Sequence, residues 1–389
     1  MNKLAPAINE RKNSSLIDGV DAIKKRQKIY KRLCYVFFII FVLIVFAFTI
    51  YDDFFSKNEV SLPFSELILV LQNTWFYLIF AFLCLALSYL LKGLKLSVLC
   101  KAETNKWHFT TCMGTGVVGH YYNYITPLAV GGQPFEIYHL SKSGISGGVA
   151  YSLPVATYIL NQIAFVFLGI TAIVLYNFKL MGFNTTAQYY ALAPQLVTTL
   201  AIIGCCFCLI MPLIVLMFSI LPRASAYLVR LTIGVGNKLK IIKNPQLFHY
   251  KTMRSVVRNA KSLKDIAKHP WAFIFTFLLG FGETFAHTSI AYFTLKFFGF
   301  NWAETPRFFE WLQVVMLVLM ISFAVSFIPT PGNSGAADFS FYSIFKSQLN
   351  YGLAFPAMLT WRIISFYTYI IIGFIFTKAK KRTGNKKVI

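Results

Sequence analysis

Two short stretches of this chain combine helix-breaking residues with hydroxyls, amides and a carboxylate, a mixture suited to holding a polar group away from bulk water. They are Thr126-Pro-Leu-Ala-Val-Gly-Gly-Gln-Pro-Phe-Glu136 and Pro329-Thr-Pro-Gly-Asn-Ser-Gly-Ala-Ala-Asp338, each with a Thr-Pro, then glycines, then an acid eight to ten residues after the Thr. Proline removes a backbone donor, and glycine permits conformations that a helix cannot hold. The carbonyls and amides so freed cannot face lipid and must be buried in protein or line a wet cavity. A pair of such interrupted segments in the two halves of a membrane chain points to a transporter's binding site. The candidates for substrate contact are Thr126, Pro127, Gly131, Gly132, Gln133, Pro134 and Glu136 in the first, and Pro329, Thr330, Pro331, Gly332, Ser334, Gly335 and Asp338 in the second. The plainer alternative is a pair of proline kinks with structural bends only.

Ionisable residues within apolar runs come next, because each is costly in lipid and has a reason to be there. Glu283 and His287 are four apart on one span and share a helix face. They are a candidate pair for binding a cation or relaying protons, or else polar glue between helices. Arg362 lies in the last apolar run, as a partner for Asp338 or for a lipid phosphate. Glu136, His139 and Lys142 just past the first broken segment suit a rim facing headgroups, and His120 with Tyr121, Tyr122 and Tyr124 precedes it as interfacial belt or site. The seven cysteines fall mostly in apolar runs, so they read as packing residues, with no metal centre and no cofactor expected.

The elements that must position these groups are membrane helices. Charged residues make up 13% of the chain, about half of what a soluble domain carries, and the 40 phenylalanines sit in continuous apolar runs rather than in the alternation of a barrel strand. Spans are predicted at about 33–51, 67–91, 149–176, 191–221, 271–298, 311–328 and 354–377. The net charge of +23 lies almost entirely between these runs and mostly in alternate gaps, which marks those gaps as cytoplasmic rather than as a nucleic-acid surface. Residues 1–32 and 378–389 read as basic cytoplasmic tails. Residues 222–270 read as a basic amphipathic connection on an anionic leaflet. The stretch after 51 is acidic (Asp52, Asp53, Glu59, Glu66 against Lys57) and is placed outside. Parity then requires 109–148 to cross an even number of times or to dip and return. The region 329–353 must supply a further crossing or half-crossing. The expected fold is an all-α polytopic bundle of about seven or eight spans, occupying 33–377, with two broken or re-entrant segments.

The pattern Pro-x-x-x-Gly-Gly-x-Pro at 127–134, followed by Tyr138 and Leu140, resembles the first signature of the lysylphosphatidylglycerol synthase transmembrane region. Pro-Thr-Pro-Gly-x-x-Gly-x-x-acid at 329–338 resembles the second, and the likeness extends over roughly 30–380. This is the flippase domain of the bacterial multiple peptide resistance factor and its stand-alone relatives, a setting of phospholipid transport and antimicrobial peptide resistance. The resemblance implies a bundle with re-entrant segments that moves a lipid headgroup between leaflets, with Gly131, Gly132, Pro134, Glu136, Pro329, Pro331, Gly332, Gly335 and Asp338 in its site. Four features depart from the family pattern: Asp338 replaces the usual Glu, Asn333 the usual second Gly, His139 and Lys142 stand where Arg is common, and so do Lys92 and Lys95 after the second helix. They bear on headgroup identity more than on fold.

The leading expectation is therefore a multi-pass protein of the cytoplasmic membrane, both termini inside, that transports a lipid with an anionic, aminoacylated or glycosylated headgroup. Membrane lipids are the expected partners, with a second copy or a separate lipid-modifying enzyme as further ones. The alternatives are an enzyme of lipid modification and an ion-coupled solute transporter using Glu283, His287 and Asp338. Against the enzyme, the longest polar stretch, 222–270, is about fifty residues and too small for an aminoacyl-transferring domain. The outer loops are likewise short for a polyprenyl-sugar transferase built around Asp52-Asp53.

Overall fold

The computed structural model describes residues 72–126, 131–178, 194–220, 268–301, 305–349 and 352–384, with isolated positions elsewhere. The expected span at 33–51, both extreme tails, the acidic loop, Pro127 and most of the basic connection 222–270 lie outside the described residues.

The described chain is helical: α1 (Phe76–Thr104), α2 (Phe109–Ile125), α3 (Gly132–Lys142), α4 (Gly147–Asn177), α5 (Pro194–Ile220), α6 (Pro270–Phe297), α7 (Arg307–Ala324), α8 (Ala336–Phe345), α9 (Ala354–Arg362) and α10 (Thr368–Gly384). A single π turn, Ile363–Tyr367, joins α9 to α10 into one long rod. Six stretches are long and apolar enough to cross a bilayer: α1, α4, most of α5, α6, α7 and the α9–α10 rod over Ala354–Ala379. Each corresponds to an expected span. The chain is an all-α, multi-pass membrane protein.

One boundary differs instructively. The second apolar run was expected to end at Leu91, with Lys92, Lys95 and Lys101 in a solvated stretch. Instead α1 continues through all three to Thr104 and closes on Asn105 in the left-handed conformation. Lys95 is 2% exposed. The apolar residues Leu94, Leu96, Val98 and Leu99 carry the helix onward, so that Lys92 and Lys95 face the protein interior while Lys101 is exposed.

α1 packs along most of α6, while α7, buried over nearly its whole length, lies against α4, α5 and α6. The larger apolar core runs from α7 outward to α8 and the α9–α10 rod. A second, smaller core joins the ends of α1 and α3 to the beginnings of α2 and α4 through Leu96, Leu99, Cys112, Leu140, Ile145 and Val149. Those four helix ends therefore lie together. At 11 residues, α3 rises about 16 Å, roughly half of a hydrocarbon core. Residues 109–148 accordingly dip and return as a hairpin rather than cross twice.

The second broken segment is the counterpart. After α7 the chain makes no helix until Gly335, then forms α8 of 10 residues, about 15 Å long. Phe345 at the end of α8 meets Phe300 edge-on at 6.1 Å, just beyond the end of α6. Since α7 also begins at that end, α7 and α8 form a hairpin entering from the side opposite to α2–α3. Lys296 and Glu310 pin α6 to α7 there through a buried ion pair of 2.7 Å, with the Tyr292 hydroxyl donating to Glu310 at 3.3 Å. Glu310, expected in a loop, is in the first turn of α7 and is buried.

Candidate functional site

Both hairpin tips are built by side chain-to-backbone bonds that replace the missing helical ones. At the first, the Thr126 hydroxyl donates to the Tyr122 carbonyl at 2.7 Å and accepts from the Gly131 amide at 3.0 Å. The Asn123 side-chain oxygen accepts from the Gly132 amide at 2.8 Å. A Cβ on Gly132 would fall 2.3 Å from that oxygen and 2.7 Å from the Gly119 carbonyl, so only glycine lets α2 and α3 approach this closely. At the second, Gly332, Asn333 and Gly335 all take positive φ, which glycine accepts freely and asparagine tolerates. The Ser334 hydroxyl donates to the Pro331 carbonyl at 2.9 Å, and Thr330 donates to the Ser334 carbonyl at 3.2 Å.

Asp338 ties the second tip to the last span. One of its oxygens accepts from the Gly335 amide at 2.8 Å, capping α8, and the other accepts from Arg362 Nε. Arg362 in turn donates through Nη2 to the Gly332 carbonyl at 3.1 Å and lies over the rings of Trp361 and Phe366. A buried guanidinium is thus satisfied by a carboxylate, a carbonyl and two π faces.

Two more ion pairs converge from the first hairpin and its neighbours. Lys92 Nζ lies 3.1 Å from Glu136 Oε1. Lys95 pairs with Glu283 and also donates to the Asn161 side-chain oxygen on α4. His120 Nε2 stands 3.7 Å from the other oxygen of Glu283. Beside this cluster an aromatic group of Tyr89, His120, Tyr124 and Tyr369 packs ring to ring at 4.7–6.3 Å. His287 contacts the hydroxyls of Tyr124 and Tyr369, each at 3.5 Å, and Tyr369 also bonds to Ser88.

These groups surround one cavity of about 340 Å³, within the range of small-ligand pockets. Lys92, Lys95, Glu136, Glu283 and Arg362 line it, as do uncharged Asn123, Gln133, Asn161, Gln162 and Asn333. Glu283 is the fourteenth of the 28 residues of α6, so the cavity lies near mid-span.

Of the sequence candidates, Gln133, Glu136, Gly332, Arg362, Glu283 and His287 line the cavity. Thr126, Gly131, Gly132, Thr330, Pro331, Ser334 and Gly335 build or lock the tips rather than face it, and Pro134 and Pro329 flank them. Asp338 stands behind Arg362. Glu283 and His287 share the face expected of them, Glu283 paired with Lys95 and His287 set against the Tyr124 and Tyr369 hydroxyls. His139, expected on an exposed rim, is buried against Thr115 at 2.9 Å, whereas Tyr138 beside it is exposed.

Sequence reasoning missed Lys92 and Lys95 as site residues, together with Asn123, Asn161 and Gln162. The signal existed: two lysines three apart with apolar residues on both sides, and an Asn-Gln pair inside an otherwise apolar span.

Residues 36–373 match the family described as the lysylphosphatidylglycerol synthase TM region. A curated relative, a UPF0104 membrane protein of Archaeoglobus fulgidus, is 23% identical over 332 residues, covering 82% of this chain and 90% of the relative. No solved structure matches the chain.

Proposed function

Because the chain belongs to the lysylphosphatidylglycerol synthase transmembrane-region family, we propose that it is a lipid flippase, moving a polar-headgroup lipid between the leaflets of the cytoplasmic membrane. The observation that carries this reading is the meeting of two broken hairpins, entering from opposite ends, on one cavity lined by charges of both signs near mid-span. Irregular backbone at membrane depth is tolerated only where it lines such a space, and paired interrupted segments about a midplane site suit alternating access. Lysines, an arginine and side-chain amides offer donors to a phosphate or sugar, while the acyl chains remain in the bilayer. The Lys101 and Lys106 end of α1, beside Trp107, is assigned to the cytoplasm by its positive charge.

The test is reconstitution in liposomes with labelled lysyl-phosphatidylglycerol, phosphatidylglycerol and a diacylglycerol glycolipid, following access of each to a membrane-impermeant reagent. Accelerated exchange of one lipid over protein-free liposomes, weakened by Asp338→Asn, is expected. Folded protein that accelerates none of them refutes the reading and favours an ion-coupled solute carrier.

A further inference from the structure

We propose, building on the lipid-transport reading, that His120 takes up one proton as an anionic phosphate headgroup enters the cavity, so that lipid and proton cross the membrane together. The charges around the cavity motivate this. Lys92, Lys95 and Arg362 are matched one for one by Glu136, Glu283 and Asp338, so the site is neutral when each pair is ionised and the histidines are not. A phosphodiester entering such a site brings one uncompensated negative charge into a poorly solvated region, where unpaired charge is strongly disfavoured. The remedy nearest to hand is a proton on a group that carries none.

His120 fits that role by position. It lies on α2, within the hairpin whose tip lines the cavity, and it lines the cavity itself. Its buried Nε2 makes no hydrogen bond among the described residues, yet faces Glu283 Oε1 at 3.7 Å. Protonation turns that near-contact into a charge-assisted hydrogen bond, which requires closure by about 1 Å. Glu283 would then be shared between His120 and Lys95, loosening Lys95 toward the cavity and the incoming phosphate. The same closure draws α2 toward α6, linking proton uptake to movement of the broken hairpin. The groups around the imidazole are Tyr89, Lys92 and Lys95 on α1, Tyr124 on α2, Glu283 and His287 on α6, and Tyr369 on α10. Only Glu283 among these is acidic. His287 already contacts two tyrosine hydroxyls, so it is the weaker candidate.

The experiment uses proteoliposomes with trace acyl-labelled phosphatidylglycerol, a pH difference of one unit, and the membrane potential clamped at zero by potassium and valinomycin. One proton per lipid converts one pH unit into a steady-state ratio of about tenfold between leaflets. The label should accumulate in the leaflet bordering the alkaline compartment, and a protonophore should return the ratio to that of protein-free liposomes. In His120→Gln the ratio should stay near one whatever the exchange rate of that variant. Exchange of phosphatidylglycerol with no enrichment by wild-type protein overturns the coupling and leaves the flippase reading intact. So does exchange confined to uncharged lipids. Loss of enrichment in His287→Gln but not in His120→Gln overturns the assignment to His120. Exchange of no lipid overturns the transport reading and this proposal with it. Misfolding of the variant, seen by size exclusion, leaves the wild-type ratio as the deciding measurement.

Discussion

Replacing Asp338 by Asn isolates what holds the second hairpin tip. The carboxylate is 1% exposed and serves two donors at once, the Gly335 amide at the start of α8 and Arg362 Nε, itself on a residue only 5% exposed. Asparagine retains one acceptor oxygen and no charge, so it can satisfy one donor while the guanidinium stays buried without a counter-ion. Breaking a buried pair in this way costs about 3–5 kcal/mol. A lost N-terminal cap contributes about 1 kcal/mol to that sum or beyond it. At 1.4 kcal/mol per decade, the amides of α8 should lose about two to four orders of magnitude of hydrogen-exchange protection. Exchange measured by mass spectrometry on peptides from 336–345, in detergent or nanodiscs, reads this directly. Adding Arg362→Gln to Asp338→Asn removes the stranded charge, so the double variant should recover most of the loss and retain a deficit of about 1 kcal/mol. Protection of α8 within tenfold of wild type in Asp338→Asn would refute the account. Damage in the double variant equal to the sum of the singles would show that the two residues act independently.

Gly332 has φ +58°, and an added Cβ would lie 2.0 Å from the Phe366 ring, whereas Gly144 has φ +87° and open space around it. Both alanine variants should lower the melting temperature through backbone strain of about 1–2 kcal/mol, and Gly332→Ala should lower it further; equal shifts would mean that the Phe366 contact yields without cost. In a cysteine-free background, Asn105→Cys and Gly144→Cys should react with an impermeant thiol reagent from one side of the membrane and Phe178→Cys from the other. Ile125→Cys near the first tip should not react from the Phe178 side, because labelling there would mean that α2 and α3 cross twice. Lys296→Met strands the buried Glu310 far from the cavity, so stability should fall by about 3–5 kcal/mol with headgroup exchange per folded molecule unchanged. A specific loss of exchange would bring that end of α6 into the transport path.

Much of this architecture is legible in the apolar runs. The spans over 149–176, 191–221, 271–298 and 354–377 agree with the observed helices to within a few residues, because a bilayer demands about 20 apolar residues and leaves little choice. The broken segments were legible too, since Pro329 and Pro331 remove helical donors and Gly332 and Gly335 favour non-helical backbone. What their hydroxyls and acids face was not. Thr126 and Ser334 look like ligands in the sequence, yet they satisfy their own backbone. Asp338 looks like a site carboxylate, yet it neutralises Arg362 and caps α8.

The sequence by itself determined that this chain is a multi-pass helical membrane protein, where its helices break, and to which family it belongs, because local composition and backbone chemistry govern those properties. Tertiary structure alone decided which charges meet. Lys92 sits beside Glu136, forty-four residues away, and Lys95 beside Glu283 on another span. The apolar residues on both sides of Lys92 and Lys95 signal lysines carried along a continuing helix, but nothing local tells which buried acid each one meets. That depends on the partner's position, which only the packing of α1 against α6 and the return of the α2–α3 hairpin supply.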